Sequence, residues 1–280
     1  MTYPDYIHEL CHVTYDMWNK GWDEYNGGNV SYRLTKDEAE SLETDLMGTS
    51  YAYYSEDRKE VEVLDVPEHV QGEFILITAS GSQFRTLCLQ PEVDTGIIQL
   101  TPKGYKVVAG FVTGKRPTSE IFMHILAHAA RIKVDPEHRV VIHNHATNIA
   151  VYSLLDEVTS ESLTLDLWSA LTESIVVFHD GIAVLPWEVP GTQLIGVDTA
   201  RELATHRLVV WAKHGVLSTG KDYQDCFGLI ETADKAAHIA LELKRVSGKS
   251  VSENNVLSKA DLRKICDVLG VEGKYLNDQH

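Results

Sequence analysis

Ile7, Leu10, Cys11, Met17 and Trp18 recur at helical spacing and predict an amphipathic helix over 5–20. An Asn26-Gly27-Gly28 turn follows, and Val30, Tyr32 and Leu34 then alternate as a strand. Residues 35–72 are acidic and without clear period, and they read as an insertion or surface excursion. Phe74–Thr78 predicts a strand entering the small-residue loop Ala79-Ser-Gly-Ser82, and Ile97–Leu100 with Tyr105–Ala109 predicts a hairpin. A helix is expected from Thr118 to about Lys133, with the Thr118 and Ser119 hydroxyls available for its N-cap. Val140, Val141 and Ile142 form the next strand. Residues 147–155 and 159–171 read as helical, Ser174–Phe178 and Ile182–Leu185 as strands, 192–205 as helix, and Arg207–Trp211 as strand. A long helix covers 222–246. A last one starts at Ser258, with Asp261 completing a capping-box-like pair and Gly270 stopping it.

These elements alternate with no Pro/Gly/Ser linker and no internal repeat, which favours one α/β domain over 1–280 with a central, mainly antiparallel or mixed sheet. The domain carries a variable excursion at about 35–72 and a C-terminal helix at about 258–269. No Gly-x-Gly-x-x-Gly follows a strand, so a dinucleotide-binding reading has no support.

Composition narrows the partners. Twenty-five basic side chains against 41 acidic ones leave a net charge of −16, a poor match for nucleic acid or an anionic membrane. An anionic substrate would need a local site of backbone N–H groups, hydroxyls, amides or a metal. Cys11, Cys88, Cys226 and Cys266 form no Cys-x-x-Cys and read as buried thiols of a reducing cytosol. The N-terminus has neither a basic nor an apolar leader region, and no apolar run approaches the roughly 20 residues needed to span a bilayer.

The richest chemistry lies in His143-Asn-His145. On a strand, both imidazoles project from one face and Asn144 from the other, so the pair is half of a divalent-metal site or, equally, a hydrogen-bonded strand end. His214, just beyond an apolar strand and before Gly215, is the best third ligand. His124 and His128 stand at i, i+4 without the Glu of His-Glu-x-x-His, and read as a satisfied helical pair. Glu120, in Pro117-Thr-Ser-Glu120, is either a general base beside the metal or a simple first-turn carboxylate. The loops Asn26–Asn29 and Thr78–Ser82 could cradle a phosphate or merely turn the chain.

Together these segments resemble the metal-dependent class II aldolase/adducin family. The resemblance is carried, in family order, by Lys20-Gly-Trp-Asp-Glu24 with Asn26-Gly-Gly-Asn29, Ser80-Gly81, Pro117-Thr-Ser-Glu120, His143-Asn-His-Ala-Thr147, Thr172-Glu173, Leu185-Pro-Trp-Glu-Val-Pro-Gly-Thr192, and Trp211 with His214-Gly-Val216. It implies helices on both sheet faces and one Zn²⁺ per subunit on His143, His145 and His214. It also implies Glu120 as catalytic acid/base, and phosphate contacts from Asn26, Gly28, Asn29, Ser80, Gly81 and Ser119. Glu173 matches a second catalytic carboxylate that reaches the site from a neighbouring subunit of a homotetramer. The implied reaction is reversible cleavage of a phosphorylated ketose to dihydroxyacetone phosphate and an aldehyde through a metal-stabilised enediolate. Tyr25 and Ser82 depart from the family pattern, standing where basic residues are expected beside the phosphate loops. The alternatives are another sugar-phosphate aldolase or epimerase of the family, or a non-catalytic adducin-like module. A metallo-β-lactamase-like hydrolase ranks low, because Ala146-Thr147 follows the His-x-His in place of x-Asp-His.

Overall fold

The computed structural model describes residues 3–54 and 59–276. Nine strands form one sheet: β1 (Asn29–Arg33), β2 (Val61–Glu62), β3 (Phe74–Thr78), β4 (Thr95–Thr101), β5 (Gly104–Gly110), β6 (Val140–Asn144), β7 (Ile182–Leu185), β8 (Leu208–Trp211) and β9 (Gly215–Gly220). Their order is β2-β5-β4-β3-β1-β6-β9-β8-β7, antiparallel throughout except for the parallel pair β7–β8. This is the single α/β domain with a mainly antiparallel, mixed sheet that the sequence predicts.

Helices cover both faces. Ile75 and Ile77 of β3 pack on Ile121, Ile125 and Ala129 of the helix Ile121–Val134. Val141, Val209 and Leu217 share that side of the sheet with Met123, Ala127 and Ile195, the last from the helix Gln193–Glu202. The alternate residues Leu76, Val140, Ile142 and Val210 join the opposite cluster, with Ile7 and Leu10 of the helix Asp5–Asn19 and Leu229 and Ala233 of the helix Tyr223–Ser247. Successive strand side chains point to opposite faces, so a sheet covered twice needs apolar residues at both parities. That is why β6 reads Val-Val-Ile and not as a polar–apolar alternation. It is also why β9, Gly-Val-Leu-Ser-Thr-Gly, escapes the pattern reading although every residue of it is buried.

Four sequence expectations are corrected. The stretch 35–72 is not irregular. Lys36–Leu46 is a helix that buries Leu42 and Leu46, and Thr35 with Glu38 closes a full capping box. Val61–Glu62 pairs with β5 at the sheet edge, and Glu68–Val70 forms a 3₁₀ turn; positions 55–58 lie outside the described residues. Ser174–Phe178 is not a strand. Thr172–Val177 is a helix whose buried Ser174 and Ile175, with Phe178 beyond, form one helical face, so tertiary packing overrides the β-branched composition. The helix after Pro117 begins at Ile121 with no side-chain cap; the Thr118 hydroxyl accepts from the Glu120 N–H at 3.3 Å. Finally, Cys88 is exposed, while Cys11, Cys226 and Cys266 are buried; all four are free thiols. Among the described residues no helix is long and apolar enough to cross a membrane.

The C-terminal helix Lys259–Leu269 matches its expectation closely, capped by Ser258 and Asp261 and stopped by left-handed Gly270. The Thr35 box allows a direct check. Removing the hydroxyl that accepts from Glu38 N–H at 3.2 Å in Thr35→Ala should lower unfolding stability by about 1 kcal/mol in urea titration. Unchanged stability would mean the box only decorates a helix held by Leu42 and Leu46.

Candidate active site

The site sits where the central strands end together. Asn29, the first residue of β1, pairs with His143 near the end of β6, and Asn144 pairs with Val216 at the start of β9. His214 is in the tight turn joining β8 to β9, closed by its N–H to the Trp211 carbonyl at 3.0 Å. Lys213 in that turn has φ of 63°, an uncommon backbone for a side chain of its size. Gly215 is required by proximity. A Cβ there would lie 3.0 Å from both His143 Cε1 and His145 Cδ2 and would collide with the Asn144 carbonyl.

The ligand atoms of His143, His145 and His214 lie within 4.8 Å of one another. The parity argument holds. His143 and His145 share a face, while Asn144 points to the other side, where its amide contacts Met17 Sδ at 3.2 Å. His143 Nδ1 is 3.1 Å from the Val216 carbonyl, so Nδ1 carries the proton and Nε2 is left bare. That Nε2 is buried with no hydrogen-bond partner. His145 Nδ1 is 2.6 Å from Glu24 Oε1, which again leaves Nε2 free. Burial, reinforced by the neighbouring His214, holds the His143 pKa well down, and burial lowers that of His214 to about 4. Burial keeps His143 and His214 neutral, hydrogen bonds orient the His143 and His145 rings, and His143 Nε2 and His214 Nδ1 are buried without partners, a set that fits a divalent metal ion.

Glu120 occupies the N-cap position of the helix Ile121–Val134 and is only 7% exposed. Its Oε2 accepts from Asn29 Nδ2 at 2.8 Å and lies 3.7 Å from His143 Nε2. Burial raises its pKa, against the opposing pull of the Asn29 hydrogen bond. The chain reaches this point because Ala79 bridges to Pro117 and Thr118 N–H donates to the Thr78 carbonyl at 3.0 Å. Those contacts lay the Ser80-Gly81 loop beside Ser119. The Leu185–Thr192 segment also returns here, its Gly191 facing the Ser119 carbonyl.

One cavity of about 170 Å³ is therefore lined by the three histidines, Glu120, Asn26, Gly28, Asn29, Ser80, Gly81 and Ser119. Every sequence-predicted site residue is there except Glu173, which is exposed in the first turn of Thr172–Val177. No Lys or Arg is among the described residues lining the cavity. Tyr25 is 80% exposed, and buried Ser82 turns its hydroxyl back to the Ala79 carbonyl at 2.6 Å. With these two departures from the family pattern, the cavity offers an anion only backbone N–H groups, hydroxyls, amides and the histidines.

Sequence reasoning assigned no role to Glu24 or Asp23. Glu24 orients His145 from 121 residues away, and only the fold shows that pairing. Asp23 is buried with one oxygen unpartnered, and burial together with the Glu24 charge raises its pKa to about 7.

Fold and site together define a metal-dependent aldolase class, and the chain belongs to it. The sequence model of the Class II Aldolase and Adducin N-terminal domain family matches residues 8–241. Within it, the chain is similar to the rhamnulose-1-phosphate aldolase of Mannheimia succiniciproducens, 40% identical over 87% of this chain and 88% of that protein. It is also similar to the rhamnulose-1-phosphate aldolase of Listeria innocua, 36% identical over 98% and 97%. Among solved structures, a sugar-phosphate aldolase from Thermotoga maritima superposes with a TM-score of 0.70 at 27% identity, covering 88% of this chain and 98% of that one. An L-fuculose 1-phosphate aldolase at 19% identity, TM-score 0.63, covering 96% and 98%, shares the fold.

The geometry sets an expectation for metal content. His143→Ala and His145→Ala should each emerge from purification with most bound metal lost, as read by elemental analysis. Glu24→Gln should weaken metal retention about 10- to 100-fold against a competing chelator, the usual effect of losing a ligand's orienting partner. Full retention in both histidine variants would remove the cluster from consideration as a metal centre.

Proposed function

We propose that this chain catalyses the reversible cleavage of L-rhamnulose 1-phosphate to dihydroxyacetone phosphate and L-lactaldehyde. The observation that carries the proposal is the convergence of a three-histidine cluster, a buried carboxyl and three small polar loops on one cavity. Similarity to rhamnulose-1-phosphate aldolases over nearly the whole chain supports the sugar.

His143, His145 and His214 would hold the cation, for which we propose Zn²⁺, one per subunit. When bound it supplies Lewis-acid stabilisation of the negative charge that develops on substrate oxygen as the carbon–carbon bond breaks. The rest falls to the chain's own groups. Asn26, Asn29, Ser80 and Ser119 side chains, with the Gly28 and Gly81 backbone, bind the phosphate and so fix the reacting carbons relative to the histidines. Breaking the C3–C4 bond leaves its electron pair on the phosphate-bearing fragment. Glu120 returns a proton to C3 of that fragment, and in the condensation direction removes it. A pKa raised by burial suits a carboxyl that must hold a proton between these steps. The proton on the aldehyde oxygen needs another group. Glu173, exposed on its own subunit, is our candidate when contributed by a neighbour in a homotetramer. Loops without cations suit reversible release of a doubly charged product better than a tight Lys or Arg clamp.

A coupled assay on a panel of ketose 1-phosphates tests the reading. Turnover should be highest with L-rhamnulose 1-phosphate and abolished by a chelator. Equal or greater activity on another ketose 1-phosphate would reassign the substrate within the family. Glu120→Ala should lower kcat by about 10²-fold or more with metal still bound, given typical general-base contributions; unchanged kcat would remove Glu120 from its role.

A further inference from the structure

We infer that Ser31, His124 and His128 are positioning residues for Glu120, acting through Asn29 along one buried line of hydrogen bonds. The inference rests on Glu120 being the proton-transferring group. Asn29 Nδ2 donates to Glu120 Oε2 at 2.8 Å, and Asn29 Oδ1 is 2.6 Å from His124 Nε2. Ser31 Oγ lies 2.7 Å from His124 Nδ1 and 2.8 Å from His128 Nε2. All five side chains are buried. Two histidines and a serine stand here between sheet and helix, where the neighbouring contacts, Ile77 with Ile121 and Ile125, are apolar.

The donors in this line have one consistent direction. An ionised carboxylate only accepts, so the Asn29 amide nitrogen faces Glu120 and its oxygen faces His124. An amide oxygen only accepts, so His124 Nε2 carries the proton. Burial keeps His124 neutral, its pKa lowered to about 3, so Nδ1 is bare and accepts from the Ser31 hydroxyl. With its one proton committed, Ser31 accepts from His128 Nε2–H. The remaining nitrogen, His128 Nδ1, is then a bare acceptor, and it is buried without a partner. Burial and the positive charges of Arg33 and Arg139 keep His128 uncharged as well.

A consequence for the reaction follows. The Asn29 amide cannot turn over without setting its oxygen against the carboxylate and its N–H₂ against the His124 N–H. Two mismatched buried contacts oppose that turn. Asn29 is therefore held as a donor to Oε2, and the other carboxylate oxygen remains for the substrate's proton. Without Ser31, His124 can exchange tautomers and the amide can turn, so the carboxylate loses its fixed orientation.

The test is a double-mutant comparison on L-rhamnulose 1-phosphate cleavage, with metal content and thermal unfolding recorded for each variant. Ser31→Ala should lower kcat about tenfold with KM and bound metal retained, the scale expected when a reacting group is slightly misplaced. In a Glu120→Gln background the same substitution should change kcat by less than about twofold, because the group it orients no longer transfers protons. Equal losses in both backgrounds would make the effect structural and overturn the inference, as would wild-type kcat in Ser31→Ala. Wild-type turnover in Glu120→Gln alone would instead overturn the base assignment and the inference with it. Should Ser31→Ala fail to fold, His124→Gln, which keeps an N–H for Asn29, is expected to recover most of the kcat lost in His124→Leu. Equal turnover in those two would overturn the inference.

Discussion

The pairing of β6 between β1 and β9 is the constraint on which the site depends. It sets Asn29 opposite His143 and brings the β8–β9 turn, with His214, against the same strand end. Val140 to His143 are paired with β1 on one side and β9 on the other, so His143 is presented from the middle of the sheet and His145 from the residue just past the strand end. The parity of the strand then decides chemistry. His143 and His145 face the N-terminus of the helix that carries Glu120, while Asn144 is turned toward Met17 in the opposite core.

Burial shapes the electrostatics in two opposite directions. It disfavours the charged form of each group, so the pKa values of His143 and His214 fall and that of Glu120 rises. The first effect leaves imidazole nitrogens available as ligands; the second shifts the Glu120 carboxyl toward holding a proton. The chain bears a net charge of −16 and lines its cavity with no Lys or Arg among the described residues, so an anion there depends on backbone dipoles, hydroxyls, amides and a cation. Tyr25 and Ser82, beside the small polar loops, fit that scheme, one turned to solvent and the other tied to Ala79.

Local signals were legible where local physics decides the outcome. The Ser258/Asp261 box and Gly270 mark the last helix because caps and left-handed stops act within four residues. The equivalent Thr35-x-x-Glu38 signal is present too, but the acidic composition around it masks a surface helix that buries only Leu42 and Leu46. Thr172–Val177 could not be read locally, because its β-branched run favours strand and only packing of Ile175 and Phe178 makes it helical. The i, i+4 histidines at 124 and 128 are legible as a hydrogen-bonded helical pair, although His128 Nδ1 is left without a partner. Their partner Ser31, more than ninety residues away in sequence, is not legible.

By itself the sequence determined the mixed α/β architecture, the shared face of His143 and His145, and the residue types from which a metal-binding, phosphate-binding cavity could be built. Periodicity and glycine chemistry depend on neighbours in the chain, and so they survive in a single sequence. Tertiary structure alone decided that Glu24 orients His145, that Val216 sets the His143 tautomer, and that Asn29 turns its amide to Glu120. Those pairings join residues 73 to 121 positions apart, and hydrogen bonds of that range are specified by strand order and register, which no local pattern encodes.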